Sequence, residues 1–187
     1  MRNDKGMFHD ISVWCEATGN ELLSSEPGEK GEIRCLIKGG EPDVGTRKRV
    51  TVMISTMNLE VCFPFDRALA AAMLGMDVNV IFEGAGVRLL KIGCRSKLSG
   101  FLGGWFTGKV ENVMKTDIGW PLPREAIEVL EQLGAKFFIC GPSMAGYGVR
   151  EEEIVVKEFQ IRASLTWVTL LVESDVNVFS KAEFEKP

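Results

Sequence analysis

The chain has 187 residues, 45% hydrophobic and 26% charged, with a net charge of −4, which fits one globular domain with a proper core and a small appendage. A sequence pI near 5.2 leaves no basic stripe to neutralise phosphates and argues against a nucleic-acid partner. With five cysteines, no Cys-x-x-Cys pair and a single histidine, His9, a zinc site of ordinary spacing and a histidine-based nucleophilic triad both lack parts.

The residues Asp10–Thr18 predict a short helix, with Asp10 as N-cap and Ile11, Trp14 and Cys15 on one face. Glu21–Ser25 and Glu32–Lys38 predict two strands joined by a turn-rich loop. One helix and one hairpin cannot stand alone. The stretch from Asp10 to Leu23, followed by Gly31–Lys38, resembles the last half of a TusA-like sulfur-carrier domain. In that family the sulfur-bearing cysteine lies in a Cys-Pro-x-Pro motif, which is missing from this chain. The resemblance therefore implies a partial domain, residues 1–38, without the family's chemistry. Cys15 and Cys35 read as packing residues.

Residues 39–48 are a linker by their Gly, Pro and charged composition, and 49–187 are the main domain. Arg49–Thr56 predicts its first strand, and Asn58–Pro64 a loop at that strand's carboxyl end. A helix is expected over Phe65–Met76 and a second strand over Asp77–Phe82. Short joins make this a parallel pair with a right-handed crossover. Glu83-Gly84-Ala85-Gly86 invites a nucleotide reading, but it lacks the third glycine and follows the second strand. Ser96–Trp120 reads as a long irregular segment. Its apolar part, 98–106, is expected to make an oligomer contact; a lid or a membrane-surface element ranks below that.

Pro121–Leu133 predicts a helix with Ala126, Ile127, Leu130 and Leu133 on one face. The apolar run Phe137–Cys140 predicts a buried strand broken at once by Gly141-Pro142. A single helical turn over Ser143–Tyr147 follows, then a loop or short helix over Val149–Ile154 with a solvated acidic face. Ala163–Val172 predicts a helix with Leu165, Val168, Leu171 and Val172 inward, and Val176–Phe179 the closing strand. The fold class is α/β, with a mostly parallel sheet in three layers.

Ligands and chemistry collect beyond the carboxyl ends of parallel strands. Cys62, Cys94 and Cys140 each follow a predicted strand, so all three fall on that side. Cys140 reads two ways: a reactive thiol near unpaired backbone N–H groups, or one more small buried apolar residue. Residues 49–180 resemble the DsrE/F-like family of sulfur-relay proteins. The carrying segments are Arg49–Thr56, Ala68–Phe82, Leu133–Tyr147 and Glu173–Phe179. The resemblance implies a flavodoxin-like fold, a trimer or hexamer, and sulfane-sulfur transfer with Cys140 as the carrying residue. The run after Cys140, Gly-Pro-Ser-Met-Ala-Gly-Tyr-Gly, departs from the Met-Ser-Met-Asp-like run of the related subgroup.

The expected mechanism is persulfide or thiosulfonate transfer on the Cys140 thiolate, helped by the backbone of Gly141 and Ser143. Cys94 is the second candidate, as a further carrier or resolving thiol. Glycines 141 and 146 are expected to let a partner's chain approach. The expected partners are TusA-type donor and acceptor proteins, with no cofactor and no metal. The odd cysteine count and polar N-terminus point to a reducing, cytoplasmic compartment. Two alternatives stand beside this reading: a non-catalytic oligomeric assembly protein, and a small-molecule-binding flavodoxin-like domain using the Glu83–Gly86 turn.

Overall fold

A computed structural model describes residues 11–12, 14–15, 19–28, 33–40, 48–96 and 103–180. The chain divides into two compact units, Met1–Arg47 with Met73–Gly75, and Lys48–Ala72 with Met76–Pro187.

In the first unit the backbone is helical at Ile11, Ser12, Trp14 and Cys15; the rest of the expected Asp10–Thr18 helix lies largely outside the described residues. β1 (Glu21–Pro27) pairs antiparallel with β2 (Ile33–Lys38). Cys15 is buried. The Cys35 sulfur lies 3.5 Å from the Ser25 hydroxyl.

The second unit is built on a five-stranded sheet in the order β6-β5-β4-β3-β7. The strands are β3 (Arg49–Ile54), β4 (Asp77–Phe82), β5 (Lys136–Cys140), β6 (Phe159–Arg162) and β7 (Val176–Phe179). Every pair in the sheet is parallel. The helices are α1 (Cys62–Met73), α2 (Gly103–Val113), α3 (Pro123–Gln132), α4 (Gly141–Tyr147) and α5 (Ser164–Val172). A 3-10 segment, Gly84–Leu90, follows β4.

The strand order explains how the helices are shared between the two faces. Going from β3 to β4 to β5 to β6, the chain steps in one direction each time. Right-handed crossovers then place all of these connections on one face. Only β6 to β7 steps back across the sheet, so its helix, α5, must lie on the other.

Packing follows this division. On the first face, Val52, Ile54, Val80, Phe82, Phe137 and Ile139 pack with Phe65 and Ala68 of α1 and Ala126, Ile127 and Leu130 of α3. On the second face, Ile81 and Phe138 pack with Trp167 of α5, with Met53, Leu170 and Cys140 around them. Burial on both faces accounts for the near-continuous apolar runs of β3, β4 and β5. The second face also holds a buried polar chain. Asn79 Nδ2 donates to Thr51 Oγ1 at 3.2 Å, and that hydroxyl is 2.6 Å from Ser174 Oγ. Ser174 in turn donates to the Leu170 carbonyl at 2.7 Å, closing the chain on α5.

Several sequence expectations change. Most of the described part of Ser96–Trp120 is helical: α2 runs into a π-helical turn, Met114–Ile118. Its glycines, Gly103, Gly104 and Gly108, hide the helical signal. The Asn58–Pro64 loop is shorter than expected, because α1 already begins at Cys62 and carries Pro64 in its first turn, where proline's missing N–H costs nothing. Strand β6 was not foreseen. The Leu133 side chain is exposed rather than buried, since α3 has ended at Gln132. The α5 helix forms as expected but faces the other way. Leu165, Val168 and Val172 are 87%, 59% and 80% exposed, and Trp167 is the residue buried.

The turn after β4 is held very close to β3. A Cβ placed on Gly86 would lie 2.2 Å from the Ile54 carbonyl oxygen, so only glycine fits. Gly86→Ala is expected to lower stability by about 3 kcal/mol, read as a fall in the urea midpoint with the slope of the transition preserved.

Candidate functional site

Cys140 is the last residue of β5, and α4 starts at the next residue with Gly141 and Pro142 in its first turn. The backbone at Cys140 is extended, φ −72 and ψ 109, as an N-cap requires. Three buried residues, Phe137, Phe138 and Ile139, anchor the strand. The side chain itself is half-buried, against Ile81, Phe138 and Trp167.

The α4 helix is pinned to the turn after β4. The Gly84 N–H donates to Ser143 Oγ at 2.9 Å. At its other end, α4 stops at Gly148, which is left-handed at φ 61, and the Val149 N–H returns to the Met144 carbonyl. Ser143 therefore uses its hydroxyl oxygen to hold α4 against that turn. A Cβ on Gly141 would meet Ile161 Cγ2 at 3.1 Å, so that glycine relieves contact with the chain's own β6; around Gly146 the space is open. Lys136 sits at the opposite end of β5, about 13 Å from Cys140 at strand rise, too far to act on the thiol.

Cys94 is placed elsewhere. It packs partly against the main core, on the first face of the sheet. It lines a cavity of about 550 Å³ together with Leu89, Glu111, Pro123 and Glu125. Its backbone N–H donates to the Lys91 carbonyl. Cys140 packs on the second face, so the two thiols are not brought together.

Cys62 is buried beside Leu59 and Met114. Burial, and secondarily the Glu111 carboxylate, pushes its thiol up to about 12, which makes it a poor nucleophile. The shared carboxyl-end placement of three cysteines thus separates into one inert thiol, Cys62, and two accessible by degree.

The Glu83–Gly86 turn is already occupied by the protein itself. The Glu83 N–H donates to the Ile54 carbonyl, and the Gly86 N–H to the Glu83 carbonyl. The Glu83 carboxylate accepts from Ser55 Oγ at 3.0 Å, and Gly84 is engaged with Ser143. The carboxyl ends of β3 and β7 are closed too, with the Ser55 N–H donating to Ser180 Oγ at 2.7 Å. These commitments disfavour the nucleotide reading of the turn. Among the described residues, no group of three His, Cys, Asp or Glu is arranged to hold a metal ion, and no helix is long and apolar enough to cross a membrane.

Sequence reading missed Arg162. It is the register partner of Cys140 on the adjacent strand, and it was missed because β6 was. The alternation Phe159-Gln160-Ile161-Arg162 was the available signal.

A model of the DsrE/DsrF-like family matches residues 48–179. Among solved structures, the YchN protein from E. coli aligns with a TM-score of 0.51 and 13% identity, covering 72% of this chain and 100% of its own. A protein of unknown function from Methanobacterium thermoautotrophicum aligns with a TM-score of 0.49 and 14% identity, covering 71% and 99%. No match was found among curated proteins.

Two outcomes at the cysteines are expected. Iodoacetamide at pH 8 labels Cys140 in the folded protein and leaves Cys62 unlabelled until denaturant is added, as read by peptide mass spectrometry. Because the Cys62 thiol is raised, the folded chain keeps a proton that the unfolded chain loses near its ordinary value of about 8.5. Stability therefore falls as pH rises from there toward about 12, and this fall is shallower in Cys62→Ala.

Proposed function

Because the chain belongs to the DsrE/DsrF-like family, which is associated with sulfur relay, we propose that it accepts and passes on sulfane sulfur at Cys140. The observation that carries this reading is a half-buried thiol at the carboxyl end of an interior parallel strand. Partners reach such an edge, and backbone N–H groups collect there.

The step is a two-electron displacement. The Cys140 thiolate attacks the outer sulfur of a donor persulfide, R–S–SH. A new S–S bond forms, the donor's S–S bond breaks, and the donor leaves as its thiolate. The reverse displacement by an acceptor thiolate unloads Cys140. No external oxidant is needed. The backbone at Gly141 and Ser143 supports the sulfur's negative charge. Cys94, packed on the other face, serves as a second station at most and is not required for loading. TusA-type carriers are the donor and acceptor in this reading, and the N-terminal unit is a docking element of the same lineage.

Self-association belongs to the same reading. The contact expected at 98–106 lies largely outside the described residues. The exposed stripe Leu165, Val168 and Val172 of α5 offers another surface. The α5 sequence, SLTWVTLLV, carries no charge, so two copies of this stripe meet without like-charge repulsion.

Incubation with a persulfide donor is expected to add one sulfur to Cys140, removable by reductant and lost in Cys140→Ser, with Cys94→Ser still loading. An unloaded wild type whose Cys140 also resists alkylation would leave the assembly reading in its place. Val168→Asp is expected to reduce the oligomer to a smaller species in light scattering; an unchanged mass would remove α5 from the contact.

A further inference from the structure

The neighbour of Cys140 across the ladder is a cation. β5 and β6 pair in parallel with Cys140 opposite Arg162. Phe159 and Ile161 of β6 pack toward the main core. Alternation then puts Gln160 and Arg162 on the other face, where Cys140 packs beside Trp167. Adjacent strands are about 4.8 Å apart, a gap that an arginine stem spans easily.

Arg162 is exposed. Its Nη1 donates to the Ile161 carbonyl at 2.9 Å. No carboxylate pairs with it among the described residues, in contrast to Arg49, Arg124 and Arg150, each of which holds a glutamate. The α5 helix that follows contributes no acid to this face.

We propose that Arg162 is the anion-recognising residue of the Cys140 site, and that the site prefers sulfane sulfur carried on a sulfonate group. This rests on Cys140 being the sulfur-bearing thiol. A planar guanidinium offers paired N–H donors matched to two oxygens of an oxyanion. With thiosulfate, the Cys140 thiolate attacks the outer sulfur. The new S–S bond forms as the S–SO₃ bond breaks, and the electron pair departs on sulfite. Charge balances at −3 on each side: a thiolate and thiosulfate give a persulfide anion and sulfite. Arg162 holds the sulfonate oxygens before the displacement and the sulfite as it leaves.

The test compares wild type, Arg162→Gln and Arg162→Lys, with modification read at Cys140 by peptide mass spectrometry. The first measurement is the ratio of alkylation rates with anionic iodoacetate and neutral iodoacetamide. The second is sulfur loading from thiosulfate and from 2-hydroxyethyl persulfide, whose body is uncharged. In Arg162→Gln the alkylation ratio is expected to fall about fivefold or more, and thiosulfate loading about tenfold. Loading from the neutral-bodied persulfide is expected to change less than about twofold, and Arg162→Lys to recover part of the ratio. An unchanged alkylation ratio, or an equal slowing with both donors, overturns the assignment. A wild type that loads from neither donor overturns the carrier reading and the donor preference with it. The alkylation ratio then decides by itself whether Arg162 draws anions to Cys140.

Discussion

Everything about the candidate site depends on the direction in which the parallel sheet is wound. Three crossovers step one way and one steps back, so handedness loads one face with nearly all the helices. Among the described residues of this unit, the other face receives α5 alone. A nine-residue helix cannot cover five strands, and Cys140, at the margin of what it covers, stays half-buried. The same sulfur on the first face would be a core atom. Exposure at this position is thus a result of topology, with Gly141 and Ser143 adjusting the local geometry.

The turn after β4 fixes the other half of the site. Gly86 lets the chain pass against the Ile54 carbonyl, and Gly84 reaches Ser143 from there. One short segment therefore ties the ends of β3 and β4 to the helix that begins after Cys140. The glycines that suggest a phosphate cradle serve chain-to-chain contact instead. Glu83 and its Ser55 partner complete that contact.

The parts legible in the sequence were those whose pattern has one solution. The β5 run, its Gly-Pro break and the α3 face, with Pro123 at its start and Ala126, Ile127 and Leu130 inward, are of that kind. The α5 helix was legible as a helix but not in its orientation. Its sequence is apolar around most of its circumference, so spacing selects no face. What selects it is the gap above Ile81 and Phe138, which the bulk of Trp167 fills. Strand β6 is four residues long and sits at an edge, with alternate residues polar, and carries little signal by itself. Missing it also concealed Arg162, because register is a property of two strands together. Position at the end of the β5 run pointed to Cys140, and the resemblance of residues 49–180 to the DsrE/F-like family strengthened its reactive reading over the packing one.

The cover that α5 gives the second face has a kinetic side. The first face is a many-element core whose opening requires the whole domain to unfold. The α5 helix is attached to the sheet through Trp167, Leu170, the Ser174–Thr51 hydroxyl contact and the Asn177 bond to the Leu171 carbonyl. A unit held by so few contacts opens below the free energy of global unfolding. Amide exchange in α5 then runs ahead of exchange in β4. Cys140 is already partly open in the folded chain, so each detachment of that helix adds to an access the thiol has from the start, well before the domain melts.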